Sequence, residues 1–259
     1  MNHPWQLVAD PEWALALGIA AIDYAIVVRV YERRGERVST LRRLAFAGGL
    51  LILALALFSP IEYLALHSML SFHLLQNVML GDWAPPLLLL GLTPAMAYAA
   101  GSRRWVGVLT RPSVALCAWL GVWYVTHLPF VYDFGLTHTW ALGLEHVAFV
   151  VSGLMFWWPE IVDGVLTASQ KVAYLSIALI AITPLDLFVY LAHHPLYAFY
   201  EHTPKLGSIS ALADQQIAGV AMAMEANTVL MVVIAVALFR MLSDEIDQPA
   251  GGRPGSVSA

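Results

Sequence analysis

The chain has 259 residues, 59% of them hydrophobic and 12% charged, with a mean hydropathy of +0.70 and a net charge of -5. That balance excludes a soluble globular domain and describes a polytopic membrane protein, with room for roughly six to eight spans and no separate soluble domain. A single cysteine, Cys117, excludes an intrachain disulfide, a CxxC redox pair and paired-thiolate chemistry, and its bland helical surroundings suit packing.

The N-terminal stretch MNHPWQLVADPEW has no basic segment ahead of its apolar run, so no cleaved signal peptide is expected. Apolar runs bounded by polar or breaker residues then predict seven spans, over 12–30, 44–58, 66–91, 113–129, 142–158, 172–191 and 212–241. The second is short. The third contains Pro85 and Pro86 and is followed by Pro94, which should kink or end it, leaving the run to residue 100 either re-entrant or interfacial. Between the spans lie the basic loops YERRGERVSTLRR and GSRRWVGVLTR and the aromatic loop HHPLYAFYEHTPK. The expected organisation is an all-α, polytopic helical bundle over 1–243 and a disordered cytoplasmic tail over 244–259.

Positive charge gives the orientation, because cytoplasmic connections retain Lys and Arg. If the first loop is cytoplasmic, that side holds Arg29, Arg33, Arg34, Arg37, Arg42, Arg43, Arg103, Arg104, Arg111, Lys171, Arg240 and Arg253, twelve of the 13 basic residues, and only Lys205 falls outside. The N-terminus is then outside and the C-terminus cytoplasmic. All 9 histidines fall on or near the outer side: His3, His67, His73, His127, His138, His146, His193, His194 and His202. Histidine is common at membrane interfaces, so for any one of them simple solvation suffices as an explanation.

The stretch HSMLSFHLLQN is more specific. His73, Gln76 and Asn77 fall at i, i+3 and i+4 on one helical face, on the order of 10 Å inside the start of the third span, where polar groups need partners. His67 lies nearer the surface and slightly off that face. In the fifth span Glu145 and His146 enter just after His138, with Glu145 on the face of His138 if the helix begins early. Ionisable groups at such depth usually face the bundle interior, either marking function or forming a polar network that orients helices. The further acids Asp23, Asp82, Asp186, Asp214 and Glu225 suit either an ion path or helix-to-helix hydrogen bonding, and Asp214 also suits a cap on the seventh span.

SPIEYLALHSMLSFHLLQN, then APPLLLLG, HLPFVYDFGLTHTWALGLEHVAFVVSGLMFWWPE and ALADQQIAGV, together resemble the seven-helix, integral-membrane CtaG type of cytochrome c oxidase assembly factor. The resemblance implies a multi-pass protein of the bacterial inner membrane that serves maturation of a haem-copper oxidase, with copper handled on the outer side. It sets His67 and His73 on the family's histidines before the proline-rich turn. His127 falls on the histidine ahead of its LP pair, Glu145 and His146 on its EH pair, and Asp214 on its DQ motif. One departure stands out: where the family commonly reads HMxxH this chain has HLLQN, so Asn77 replaces an imidazole and Leu74 a thioether.

A metal site must therefore be assembled between helices, and the expected metal set is His67, His73, His127, His138, Glu145 and His146. Imidazoles suit copper, zinc, iron and nickel alike, and thioethers favour Cu(I), with Met69, Met79, Met222 and Met224 available. Other classes fit less well: the last span lacks the lysine of a retinal protein, there is no HExxH, and the histidines stay near one face rather than lining a path. A di-haem cytochrome pairing His73 with His146 and a copper or other metal-ion transporter remain the competing readings, the transporter being the stronger. The expected function is non-enzymatic oxidase assembly. Copper is the expected cofactor, and the expected partners are membrane lipid, oxidase subunits and a copper chaperone, with no nucleic acid.

Overall fold

The structure is a computed structural model that describes residues 7–247. His3 and most of the predicted tail lie outside the described residues. Among those described, every regular element is helical: α1 Pro11–Arg33, α2 Thr40–Phe58, α3 Pro60–His67, α4 Leu70–Val78, a π-helical turn Met79–Trp83, α5 Ala84–Leu90, α6 Pro94–Gly101, α7 Arg104–Leu109, α8 Pro112–Thr126, α9 Pro129–Thr137, α10 Thr139–Ile161, α11 Ala168–Leu191, α12 Ala198–Glu201 and α13 Ala211–Asp247.

Local chemistry explains the starts. Proline opens α1, α3, α6, α8 and α9, where its missing N–H is one that a first turn leaves unbonded anyway. Asp10, Ser39, Ser59 and Thr93 accept first-turn N–H groups at the starts of α1, α2, α3 and α6, and Thr167 with Gln170 forms a capping box on α11.

Among the described residues five helices, α1, α2, α10, α11 and α13, are long and apolar enough to cross a membrane, and counting each of two bent pairs as one span gives the expected seven. Leu70–Leu90 turns by 115° into α6, and α8 turns by 77° into α9. The third span is not the continuous run 66–91 predicted from hydropathy. The chain leaves helical geometry at Ser68 and Met69, so α3 is a separate short helix and the span begins at Leu70. As expected of this proline-rich run, the span ends at Leu90 and bends into α6, which Pro94 opens. The fifth span starts at Thr139, earlier than the apolar run indicates, and the last helix continues to Asp247, past the predicted tail boundary.

Close packing at the centre depends on missing side chains. The π-turn and α10 cross backbone to backbone at Gly81 and Gly153: a Cβ on Gly153 would collide with the Gly81 carbonyl oxygen, and one on Gly81 would meet Phe149 Cδ1 at 3.2 Å. Trp119, stacked on Phe156 with centroids 4.4 Å apart, and Trp123, edge-on to Phe149 at 4.9 Å, fill the space around that crossing. The outer helices turn apolar side chains outward, with Ile19, Ile22 and Ile26 of α1 all exposed, a surface suited to lipid.

The intramembrane acids are mostly bound into this packing. Trp119 Nε1 donates to Asp82 at 3.1 Å, and Trp83 Nε1 donates to Glu225 at 2.7 Å, linking helices. Asp186 is buried with Oδ2 unpartnered, and Asp23 is exposed on α1.

Candidate functional site

The ends of α2, α8 and α11 and the starts of α4, α10 and α13 meet at one end of the bundle, which we call the histidine end. Its arrangement depends on how the break at Ser68–Met69 is held. A helix that starts without a side-chain cap has free N–H groups, and α4 has no cap of its own. Asp214 of α13 supplies one from outside: its carboxylate accepts Leu70 N at 2.7 Å and Ser71 N at 3.2 Å. The first turn of α13 is served by Ser210, whose Oγ accepts Ala213 N at 3.1 Å, so Asp214 caps α4 rather than its own helix.

Lys205 lies 3.6 Å from Asp214 and donates to Ser68 O at 2.8 Å, and Thr203 Oγ1 donates to the same carbonyl at 3.0 Å. Burial pulls the Lys205 ammonium below its ordinary range, while Asp214 opposes that shift. The neighbouring Gln215 closes the connection after α11, accepting Leu196 N at 2.7 Å and donating to Val189 O at 3.2 Å. Asp133 of α9 repeats the external cap on α12, accepting Ala198 N and Phe199 N, each at 3.1 Å.

This scaffold aims the face anticipated on α4 inward, and His73, Gln76 and Asn77 are all 0% exposed. Gln76 Nε2 donates to Ala56 O at 3.0 Å and to the Glu62 carboxylate. On α3, outside the spans, burial pushes Glu62 up to about 7 despite that hydrogen bond. Asn77 Nδ2 donates to Glu145 Oε1 at 3.3 Å. Asn77 is thus a donor to the carboxylate that precedes His146 in α10.

Hydrogen bonds also assign the imidazole nitrogens. The Tyr200 hydroxyl donates to Ala65 O at 2.5 Å, which uses its one hydrogen, so its oxygen accepts from His73 Nδ1 at 3.0 Å. His73 Nε2 is left facing Glu145 Oε1 at 3.5 Å. A bare lone pair beside a carboxylate is repulsive, so this gap suits one shared proton, carried by the ring or by the carboxyl group. In His127, Nδ1 donates to Trp123 O at 2.7 Å and Nε2 has no partner. Neither ring nitrogen of His146 has a partner, and its ring lies 6.0 Å from that of Trp13. Glu145 interacts electrostatically with all three imidazoles.

Four of the six expected site residues, His73, His127, Glu145 and His146, therefore share one buried neighbourhood. The other two stay apart. His67 ends α3, exposed and stacked on Tyr63 at 4.6 Å; His138 precedes α10, exposed and stacked on Phe134 at 4.0 Å. His193, His194 and His202 are also exposed.

A tyrosine group that sequence reasoning did not select lines the same neighbourhood. Tyr132 packs 5.0 Å from the His73 ring and 4.2 Å from Tyr197. Tyr197 donates to His127 O at 3.2 Å. Burial raises the Tyr197 and Tyr200 phenols above their ordinary range, which keeps them neutral donors. The signal available for them was the spacing of Tyr197 and Tyr200, three apart within the aromatic loop.

The donors suit a soft or borderline metal: three imidazoles, two of them with unpartnered nitrogens and the third facing the one carboxylate. Among the described residues, however, no group of three His, Cys, Asp or Glu side chains stands close enough to hold an ion as placed. A family model described as cytochrome c oxidase caa3 assembly factor matches residues 22–244, a stretch containing all of these groups. No curated protein and no solved structure matches the chain.

Proposed function

The chain belongs to the cytochrome c oxidase caa3 assembly factor family, and from that membership we propose that it hands copper to an oxidase subunit through His73, His127, His146 and Glu145. One observation supports this reading above the rest: buried ring nitrogens of His127 and His146 lack hydrogen-bond partners, and His73 Nε2 meets only the Glu145 carboxylate, at 3.5 Å. A cargo site needs few, exchangeable ligands. Donors gathered but not closed into a cage meet that need, and a modest rearrangement brings them onto an ion.

In this reading the protein lies in the bacterial inner membrane with the histidine end outside, where copper arrives on a chaperone and leaves to the oxidase without a chemical step catalysed here. Protons compete for the same nitrogens, so loading releases them and weakens as pH falls.

Elemental analysis of purified protein after anaerobic Cu(I) loading tests the proposal. The expected result is retained copper in the wild type and its loss in His73→Ala and His146→Ala. A wild type that retains none overturns the copper reading. A deletion strain lacking redundant factors should lose oxidase activity, and normal activity there would count against the assembly role itself.

A further inference from the structure

At the end of the bundle opposite the histidines, the sharp bend before α6 and the short α7 leave a cavity of about 720 Å3. Its inner wall includes Leu89, Ala97 and Trp158, while Arg42 and Arg111 stand on its lining with one acid, Asp163. Arg42 is held in place by its guanidinium, which donates to Leu90 O at 3.2 Å and to Leu92 O, and its remaining N–H groups stay available. Arg103 and Arg104, beside the cavity in the turn into α7, add further positive charge. Among the described residues, none of Arg103, Arg104 and Arg111 is in an ion pair.

The opening shows what kind of anion suits this space. Leu90 and Tyr98 line the cavity and are 47% and 80% exposed, so its mouth runs onto the apolar outer surface of the bundle. A free phosphate has no use for such a wall, whereas a phospholipid needs both parts. We propose that the cavity binds an anionic phospholipid, with the headgroup phosphate between Arg42 and Arg111 and the acyl chains leaving past Leu90 and Tyr98. The volume is of the size that takes a small organic ligand, on the order of 300–1,000 Å3. Basic pockets between membrane helices commonly meet lipid headgroups in this way, each arginine near the surface adding attraction for the anionic leaflet.

Native mass spectrometry of the full chain tests this, after exchange of bound lipid for an equal mixture of phosphatidylglycerol and phosphatidylcholine. Wild type should retain phosphatidylglycerol in preference. Arg111→Gln, a change at an exposed side chain, should cut that retention by about fivefold. Arg33→Gln removes the same charge from the end of α1, outside the cavity lining, and should leave retention unchanged. Equal retention of the two lipids, or an equal loss in both variants, overturns the proposal. So does displacement of the lipid by millimolar inorganic phosphate, which would make this a free-phosphate site.

Discussion

At the histidine end, Glu62, Glu145, Asp214 and Lys205 are drawn inside and each meets a named partner, whereas at the opposite end Arg33, Arg34, Arg37 and Arg43 stay in the open. The one ion pair of that basic end among the described residues, Arg43 with Glu32, leaves its side chains 48% and 39% exposed. Charge in the first region holds backbone segments together at a helix break. Charge in the second is mostly solvated, Arg42 excepted, whose guanidinium holds the Leu90 and Leu92 carbonyls. An inward carboxylate that caps backbone, as Asp214 does, is therefore costly to remove, and an outward charge is cheap.

The largest effect is expected at Asp214. Asp214→Ala strips the cap from α4 and leaves Lys205 beside no carboxylate, so thermal melting in detergent should show a loss of roughly 3 kcal/mol. Asp214→Asn, which keeps an acceptor, should lose less. Melting of Asp214→Ala with the wild type would erase the contrast between the ends.

A pH titration sharpens the comparison next. Glu62 ionises at about 7 in the folded chain against an ordinary 4.5, so the folded state binds its proton more tightly than the unfolded one. Its contribution to stability is complete below the unfolded value and is lost as pH rises through the folded one, a loss of roughly 3 kcal/mol at most. Stability followed between these limits should fall as pH rises, and Glu62→Gln should flatten that slope. At the basic end, Arg43→Gln should shift stability by no more than about 0.5 kcal/mol, and a larger shift would show that this pair is structural.

Much of the fold was legible because its signals are local. Apolar runs of membrane length gave the spans, and the clustering of lysine and arginine gave two unlike ends. The spacing of His73, Gln76 and Asn77 gave a face that is buried as expected. What stayed hidden depends on partners distant in sequence. Nothing near Ser68 shows that the helix breaks there, because the groups that hold the break, Thr203, Lys205 and Asp214, lie well over a hundred residues away. The site was legible in the same measure. His73, Glu145 and His146 followed from their depth in apolar helices. His67 and His138 sit at helix ends, where one residue of boundary decides between inside and outside. Tyr132, Tyr197 and Tyr200 look like ordinary interfacial aromatics until the chain folds them onto the imidazoles.

The glycine crossing at Gly81 and Gly153 acts as a fulcrum. His73 precedes Gly81 by eight residues and His146 precedes Gly153 by seven, so both imidazoles ride on lever arms of about 11 Å on the same side of the pivot. A side chain forced into that crossing and tilting α10 by about 10° against the α4 segment would change their separation by about 2 Å. Bare backbone at the contact, closed around by Trp119, Trp123 and Phe149, thus fixes the spacing of the two imidazoles from a distance.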